Sequence, residues 1–145
     1  MAIWIELIGA PILTMIVVQA IKLATDGIKG NFTIKSLLTT YGGMPSGHSA
    51  YVTALTASVG FNYGLETPVF AVAAVFSLLV ITDAMYLRRR IDLVAKAANH
   101  IMATLPADQR NRFTKLESKI EHTPAQVVVG ALCGFIIAYL VHLWN

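Results

Sequence analysis

All eleven lysines and arginines of this chain fall in two of the three intervals that separate four long apolar segments. The segments are Ile3–Ile21, Ser46–Tyr63, Pro68–Leu87 and Pro124–Leu143. A bilayer's hydrocarbon core is about 30 Å thick and takes about 20 predominantly apolar residues to cross as a helix. Backbone groups in lipid find no water to bond, so such a stretch is driven to be helical. Lys22, Lys29 and Lys35 belong to the first interval, and Arg88, Arg89, Arg90, Lys96, Arg110, Arg112, Lys115 and Lys119 to the third. The second, "NYGLET", has no cation. With four spans the first and third intervals share a side, and the positive-inside rule makes that side cytoplasmic. The expected fold is an all-α integral membrane bundle of about four transmembrane helices, multi-pass in the cell (cytoplasmic) membrane, with both termini outside.

The 145 residues form one expected domain, 1–145. Only 13% are charged, against about 25% in an average soluble domain. The N-terminal stretch lacks the basic start and small-residue cleavage site of a signal peptide, so it reads as a retained span. The single cysteine, Cys133, permits no intrachain disulfide. Between the first two spans, Phe32 to Tyr41 is too short to cross and reads as an interfacial or re-entrant piece. In the third interval "PADQRNRFTKLESKIE" reads as a cytoplasmic amphipathic helix on the membrane surface, with Phe113, Leu116 and Ile120 on one face. Ser49, Thr53, Thr56 and Ser58 dilute the second span, as small hydroxyl residues do where helices touch.

Polar residues gather at span ends: Lys22, then Ser46-Gly47-His48, then Asp83 with Arg88 and Arg89, then His122, Thr123 and Gln126. Under the four-span topology all of them reach the cytoplasmic level. Singly, each has a plain explanation. Lys22 reads as a snorkelling anchor, the arginines as topology markers, Asp83 as half of an ion pair locking helices, and Ser46 or Ser49 as a cap behind Pro45. Jointly they make an anion site, because a glycine-rich approach to a helix N-terminus offers free N–H groups. Arginine adds a fork suited to phosphate oxygens. Two histidines there can divide phosphoryl transfer, one attacking phosphorus and one protonating the leaving oxygen. Gln126, four residues after His122, shares its helix face and can orient the imidazole. The four histidines show no H-x-x-x-H spacing, so no metal site is expected. There is no nucleotide-binding P-loop. The third interval also carries acids and has no aromatic interleaving, so nucleic acid is not an expected partner.

The motifs that carry these residues, "QAIK", "GGMPSGHSA", "DAMYLRR" and "EHTPAQVVVGA", resemble the type 2 phosphatidic acid phosphatase (PAP2) superfamily. They are closer still to its divergent branch of small membrane proteins related to acid phosphatase and vanadium-dependent haloperoxidase. The likeness runs in order along nearly the whole chain. It implies a metal-independent phosphatase without cofactor. His122 is then the nucleophile that forms a phosphohistidine, and His48 the general acid. Lys22, Ser46, Gly47, Arg88 and Arg89 form the phosphate cradle, Asp83 orients an arginine, and Thr123 and Gln126 support the nucleophile. Gln126 departs from the branch's acid, and a neutral amide holds a tautomer but does not offset an imidazolium. Tyr86 likewise stands where the pattern has glycine.

Three readings follow. The first is hydrolysis of an isoprenoid or glycerolipid phosphate or diphosphate at the cytoplasmic face. The second is non-catalytic binding or translocation of anionic lipids, and the third a structural subunit. Expected partners are the lipid substrate and membrane lipids, with a homodimer as a way to cover hydroxyl-bearing faces. Sidedness is testable by cysteine labelling. A Lys96→Cys variant should react only from the cytoplasm and Glu66→Cys only from outside; external labelling at position 96 overturns the topology.

Overall fold

The computed structural model describes residues 3–25, 44–116 and 123–144, and every regular element among them is helical. A π-turn, Ile5–Gly9, leads into α1, Ala10–Thr25. Next come α2, Gly47–Tyr63, and α3, Pro68–Thr82. A second π-turn, Asp83–Leu87, joins α3 to α4, Arg88–Thr104. The short α5, Ala107–Arg110, and the long α6, Pro124–Trp144, complete the order.

Among the described residues, three helices are long and apolar enough to cross a bilayer: Ile5–Ala24, Pro68–Thr104 and Pro124–Trp144. The expected second span is α2, whose 17 residues give a length of about 25 Å at about 1.5 Å per residue. It still runs from one end of the bundle to the other. Gly47 lies beside Lys22 of α1, while Asn62 bonds Glu6 near the start of the same polypeptide arm. α2 is the central helix, packed on α1, α3 and α6, and α1 also packs on α6.

Apolar burial does not hold such a bundle together in lipid, since lipid tails are as apolar as leucine; close packing and polar contacts do. The closest packing is between α2 and α6. A Cβ added at Gly130 would collide with the Ser46 carbonyl oxygen, and one at Gly134 with the Ala50 carbonyl oxygen. The two pairs advance together along both helices, so α2 and α6 run parallel. At their far ends Phe61 stacks on His142, with ring centroids 5.0 Å apart, and packs edge-on against Phe135. α3 is antiparallel to α2 and is tied to it by hydroxyls, as the diluted second span led us to expect. The Thr56 and Ser77 hydroxyls lie 2.6 Å apart, and both groups donate to the Val52 carbonyl, each at 3.0 Å.

The helix starts follow local chemistry. Ser46 caps α2, its Oγ accepting from the Ser49 N–H, while Thr67 caps α3, with Pro68 in the first helical position. Pro45 therefore lies ahead of the cap rather than inside the first turn.

Two sequence expectations are corrected. The third span does not give way to a polar loop at Leu87, because the helix runs on to Thr104. Nothing between Leu87 and Thr104 is proline or glycine, and the π-turn absorbs the change of register without ending the hydrogen-bonded ladder. Among the described residues, the amphipathic helix expected from Pro106 is helical only over Ala107–Arg110. Asn111–Leu116 turns back on α4, where the Asn99 side chain takes both backbone groups of Leu116, at 2.9 and 2.8 Å. That side-chain pairing replaces the helical bonds. The remainder of that segment, and the expected re-entrant piece at Phe32–Tyr41, lie outside the described residues.

The glycine seats yield a test. Gly134→Ala and Gly130→Ala should each destabilise the protein by about 1–3 kcal/mol through overpacking, read as an earlier thermal unfolding transition in detergent. Gly9→Ala, where an added Cβ meets only the Ile5 side chain at 3.6 Å, should be close to neutral.

Candidate active site

At the Lys22 end, the ends of four helices converge. The Ser46 N–H donates to the Gln126 carbonyl at 3.0 Å, so the starts of α2 and α6 are joined backbone to backbone. Ser46 is fully buried, and its hydroxyl accepts from Ser49 Oγ at 3.0 Å. Lys22, from the end of α1, is 5% exposed. Its Nζ lies 3.9 Å from the place a Gly47 Cβ would take. A snorkelling anchor would carry its ammonium out to water; this one is turned inward over the first residue of α2. A larger residue at position 47 would stand between that ammonium and the free N–H groups.

From the α3–α4 junction, Arg88 Nη2 reaches His48 Nε2 at 2.9 Å. Guanidinium donates and does not accept, so Nε2 presents its lone pair and the ring's proton resides on Nδ1. Behind Arg88, Asp83 Oδ2 stands 3.9 Å from Nε. Residues five apart do not face each other on an α-helix. Here they do, because the π-turn bonds the Arg88 N–H to the Asp83 carbonyl and stacks one residue over the other. Arg89 and Arg90 are exposed, and of the three arginines it is Arg88 that contacts His48.

Thr123 and Gln126 form a capping box at the start of α6. The Thr123 N–H donates to Gln126 Oε1 at 2.8 Å, and the Gln126 N–H donates to Thr123 Oγ1 at 3.3 Å. The glutamine carbonyl oxygen is thus committed to the helix start. His122, one residue before this box, lies outside the described residues, so the bond expected between its ring and Gln126 does too. Lys22, Ser46, Gly47, His48, Asp83, Arg88, Thr123 and Gln126 are all placed at this end.

Sequence reading missed two features. Asp92, one turn beyond Arg88, is 1% exposed and forms an ion pair with Lys96. At the opposite end of the bundle Glu6 is buried, and its Oε2 accepts from Asn62 Nδ2 at 2.7 Å and pairs with His142 Nδ1 at 2.9 Å. That cluster ties the beginning of the first span to the ends of α2 and α6. The available signal was an acid inside an apolar segment, which calls for a partner. Glu6 also sits in a π-turn, as Asp83 does. Among the described residues no group of three His, Cys, Asp or Glu side chains could hold a metal ion.

The sequence profile of the Divergent PAP2 family matches residues 5–137, from the Glu6 end through both glycine seats. This chain belongs to that family. Among its relatives, the divergent PAP2 protein is similar to the uncharacterized membrane protein YuiD of Bacillus subtilis (strain 168), with 32% identity and 85% of either chain covered. No solved structure matches it.

The capping box makes a separable prediction. Gln126→Ala should cost about 1 kcal/mol of stability, the usual scale of a lost cap. Gln126→Glu, which keeps an acceptor at the same place, should retain it, measured by thermal unfolding of the purified protein.

Proposed function

We propose that this divergent PAP2 protein is a membrane-embedded, metal-independent lipid phosphate phosphatase that works at the cytoplasmic face of the cell membrane through a phosphohistidine. The observation that carries the reading is the Arg88–His48 contact at the N-terminus of α2, backed by Asp83 and roofed by Lys22. Cations, free helix N–H groups and an imidazole in one place suit a phosphoryl group and little else. The clustering of cations in the intervals flanking this end supports a cytoplasmic side for it.

In the proposed reaction phosphate oxygens are held by Lys22, Arg88 and the Gly47 N–H, the Ser46 N–H being committed to the Gln126 carbonyl. A phosphate drawing on Arg88 releases His48 Nε2, which takes up a proton from the monoprotonated phosphate group or from water and so becomes the general acid. His122 attacks phosphorus, the bond from phosphorus to the lipid oxygen breaks, and protonated His48 gives its proton to that oxygen. Water then attacks the phosphohistidine while His48 takes the water's proton, and inorganic phosphate leaves. Asp83 fixes the arginine's geometry, which matters because a misplaced charge stabilises the ground state as much as the transition state. The reading assigns attack to His122 because α6, which begins two residues after it in the sequence, is joined to the start of α2 by the Ser46–Gln126 bond.

A second reading, binding or translocation of anionic lipids without turnover, draws on Gln126. Its carbonyl oxygen serves the capping box, and it supplies no negative charge to an imidazolium at position 122.

The test is phosphate release from prenyl and glycerolipid phosphates with EDTA present. Wild type should turn over, and His122→Ala and His48→Ala should each lose about 100-fold or more, the scale of a lost nucleophile or general acid. Retained lipid binding with no release by wild type favours the second reading. Loss of both overturns the site. Gln126→Glu should raise the rate if charge behind the nucleophile limits it.

A further inference from the structure

The seam between α2 and α3 that carries His48 and Arg88 at one end opens, farther along, into an apolar groove of about 420 Å³. Leu55, Val59, Val69, Val72, Ala73 and Phe76 line it, and Pro68 closes its far end. Leu55 and Val59 follow His48 at seven and eleven residues, spacings that keep to one helix face. The groove therefore continues in line from the imidazole. Its depth is the informative quantity. At about 1.5 Å per residue, Leu55 and Val59 lie about 10 and 16 Å beyond His48. Phe76 and Val69 lie about 18 and 28 Å beyond Arg88 on the same rise. A common tilt of about 20° shortens these depths by less than a tenth.

Half of a bilayer is about 20–22 Å when the headgroup region, where a phosphate lies, is included. A diacyl lipid whose phosphate sits at the Lys22 end fills its own leaflet and reaches Leu55, Val59 and Phe76, but not Val72 or Val69. That far part of the groove belongs to the opposite half of the membrane. We propose that its occupant is the tail of the phosphate-bearing lipid itself, and that this tail is long enough to cross the midplane: a polyprenyl chain rather than a pair of acyl chains. This rests on the anion site described above and chooses between the two substrate classes left open there. It does not depend on turnover.

Branched isoprene units suit the walls. Val59, Val69 and Val72 present branched methyl groups along the groove. Burying the far part of the tail between two helices, instead of among mobile lipid chains, gains dispersion contacts that a short tail does not make. Selectivity should therefore grow with chain length only after the tail passes Phe76.

The experiment measures equilibrium binding of non-hydrolysable phosphonates in phosphatidylcholine nanodiscs. The probes are a long polyprenyl phosphonate, farnesyl phosphonate and a diacylglycerol phosphonate. Wild type should bind the long polyprenyl probe about tenfold or more tightly than either of the others, which corresponds to about 1.4 kcal/mol gathered from dispersion contacts with the groove walls. Val72→Trp and Val69→Trp fill the groove at half-exposed or more exposed positions that burden no buried contact. Each should remove that preference and leave farnesyl binding unchanged. Val75→Trp, on the same helix but outside the groove, should leave both unchanged. Equal affinity for long and diacyl probes overturns the proposal, as does equal weakening of long and short probes by the groove variants. An effect of Val75→Trp as large as that of Val72→Trp also overturns it. If wild type prefers the long probe yet releases no phosphate from any lipid, catalysis fails while the groove assignment stands. Turnover without a length preference gives the reverse.

Discussion

The bundle depends on two glycines seated against two carbonyl oxygens. Gly130 and Gly134 let α6 approach the backbone of α2 at Ser46 and Ala50 closer than any side chain would allow. In lipid this is where helix association finds its energy, because removing leucine from lipid into a protein interface gains little. The consequence reaches beyond stability. The first seat lies beside the Ser46–Gln126 backbone bond, so the contact that packs the two helices also aligns their starts. A slip of one turn along this interface, about 5.4 Å, would part the His48 motif from the segment that precedes α6.

Around that fixed pair the other helices act as brackets. α1 crosses both, bringing Lys22 over Gly47 at one end and Glu6 to Asn62 and His142 at the other. α3 hangs on α2 through Thr56 and Ser77, whose hydroxyls meet beside backbone carbonyls in the middle of the membrane. Glu6, Thr56 and Ser77 thus each have a partner on a different helix. An ionisable group left alone at such depth would cost about 2.5–3.5 kcal/mol, so pairing them specifies the arrangement as well as stabilising it.

The division between legible and illegible features follows the range of the interactions. Spans, hydroxyl-rich contact faces and capping serines rest on local periodicity and could be read directly. Membership of the family was legible too, through four motifs kept in order. The end of the third helix was misread at Leu87 because a run of arginines looks like a loop, whereas a helix carries charge readily once it leaves the hydrocarbon. The helix expected from Pro106 failed for a non-local reason: Asn99, seventeen residues away, offers Leu116 better-placed hydrogen bonds than a continued helix would. The Gly-x-x-x-Gly of "GALCG" was visible but is too short a signal to name its partner.

By itself the sequence determined a helical membrane protein of the divergent PAP2 family, because apolar length and motif order are properties of the chain. Which groups meet was decided by tertiary structure. Nothing in the string selects Arg88 over Arg89; the π-turn does, by rotating Arg88 over Asp83 and toward His48. Nor does the string show that the glutamine behind His122 would spend its carbonyl oxygen on a capping box. Those outcomes depend on a change of helical register and on a backbone approach that only a packed bundle imposes.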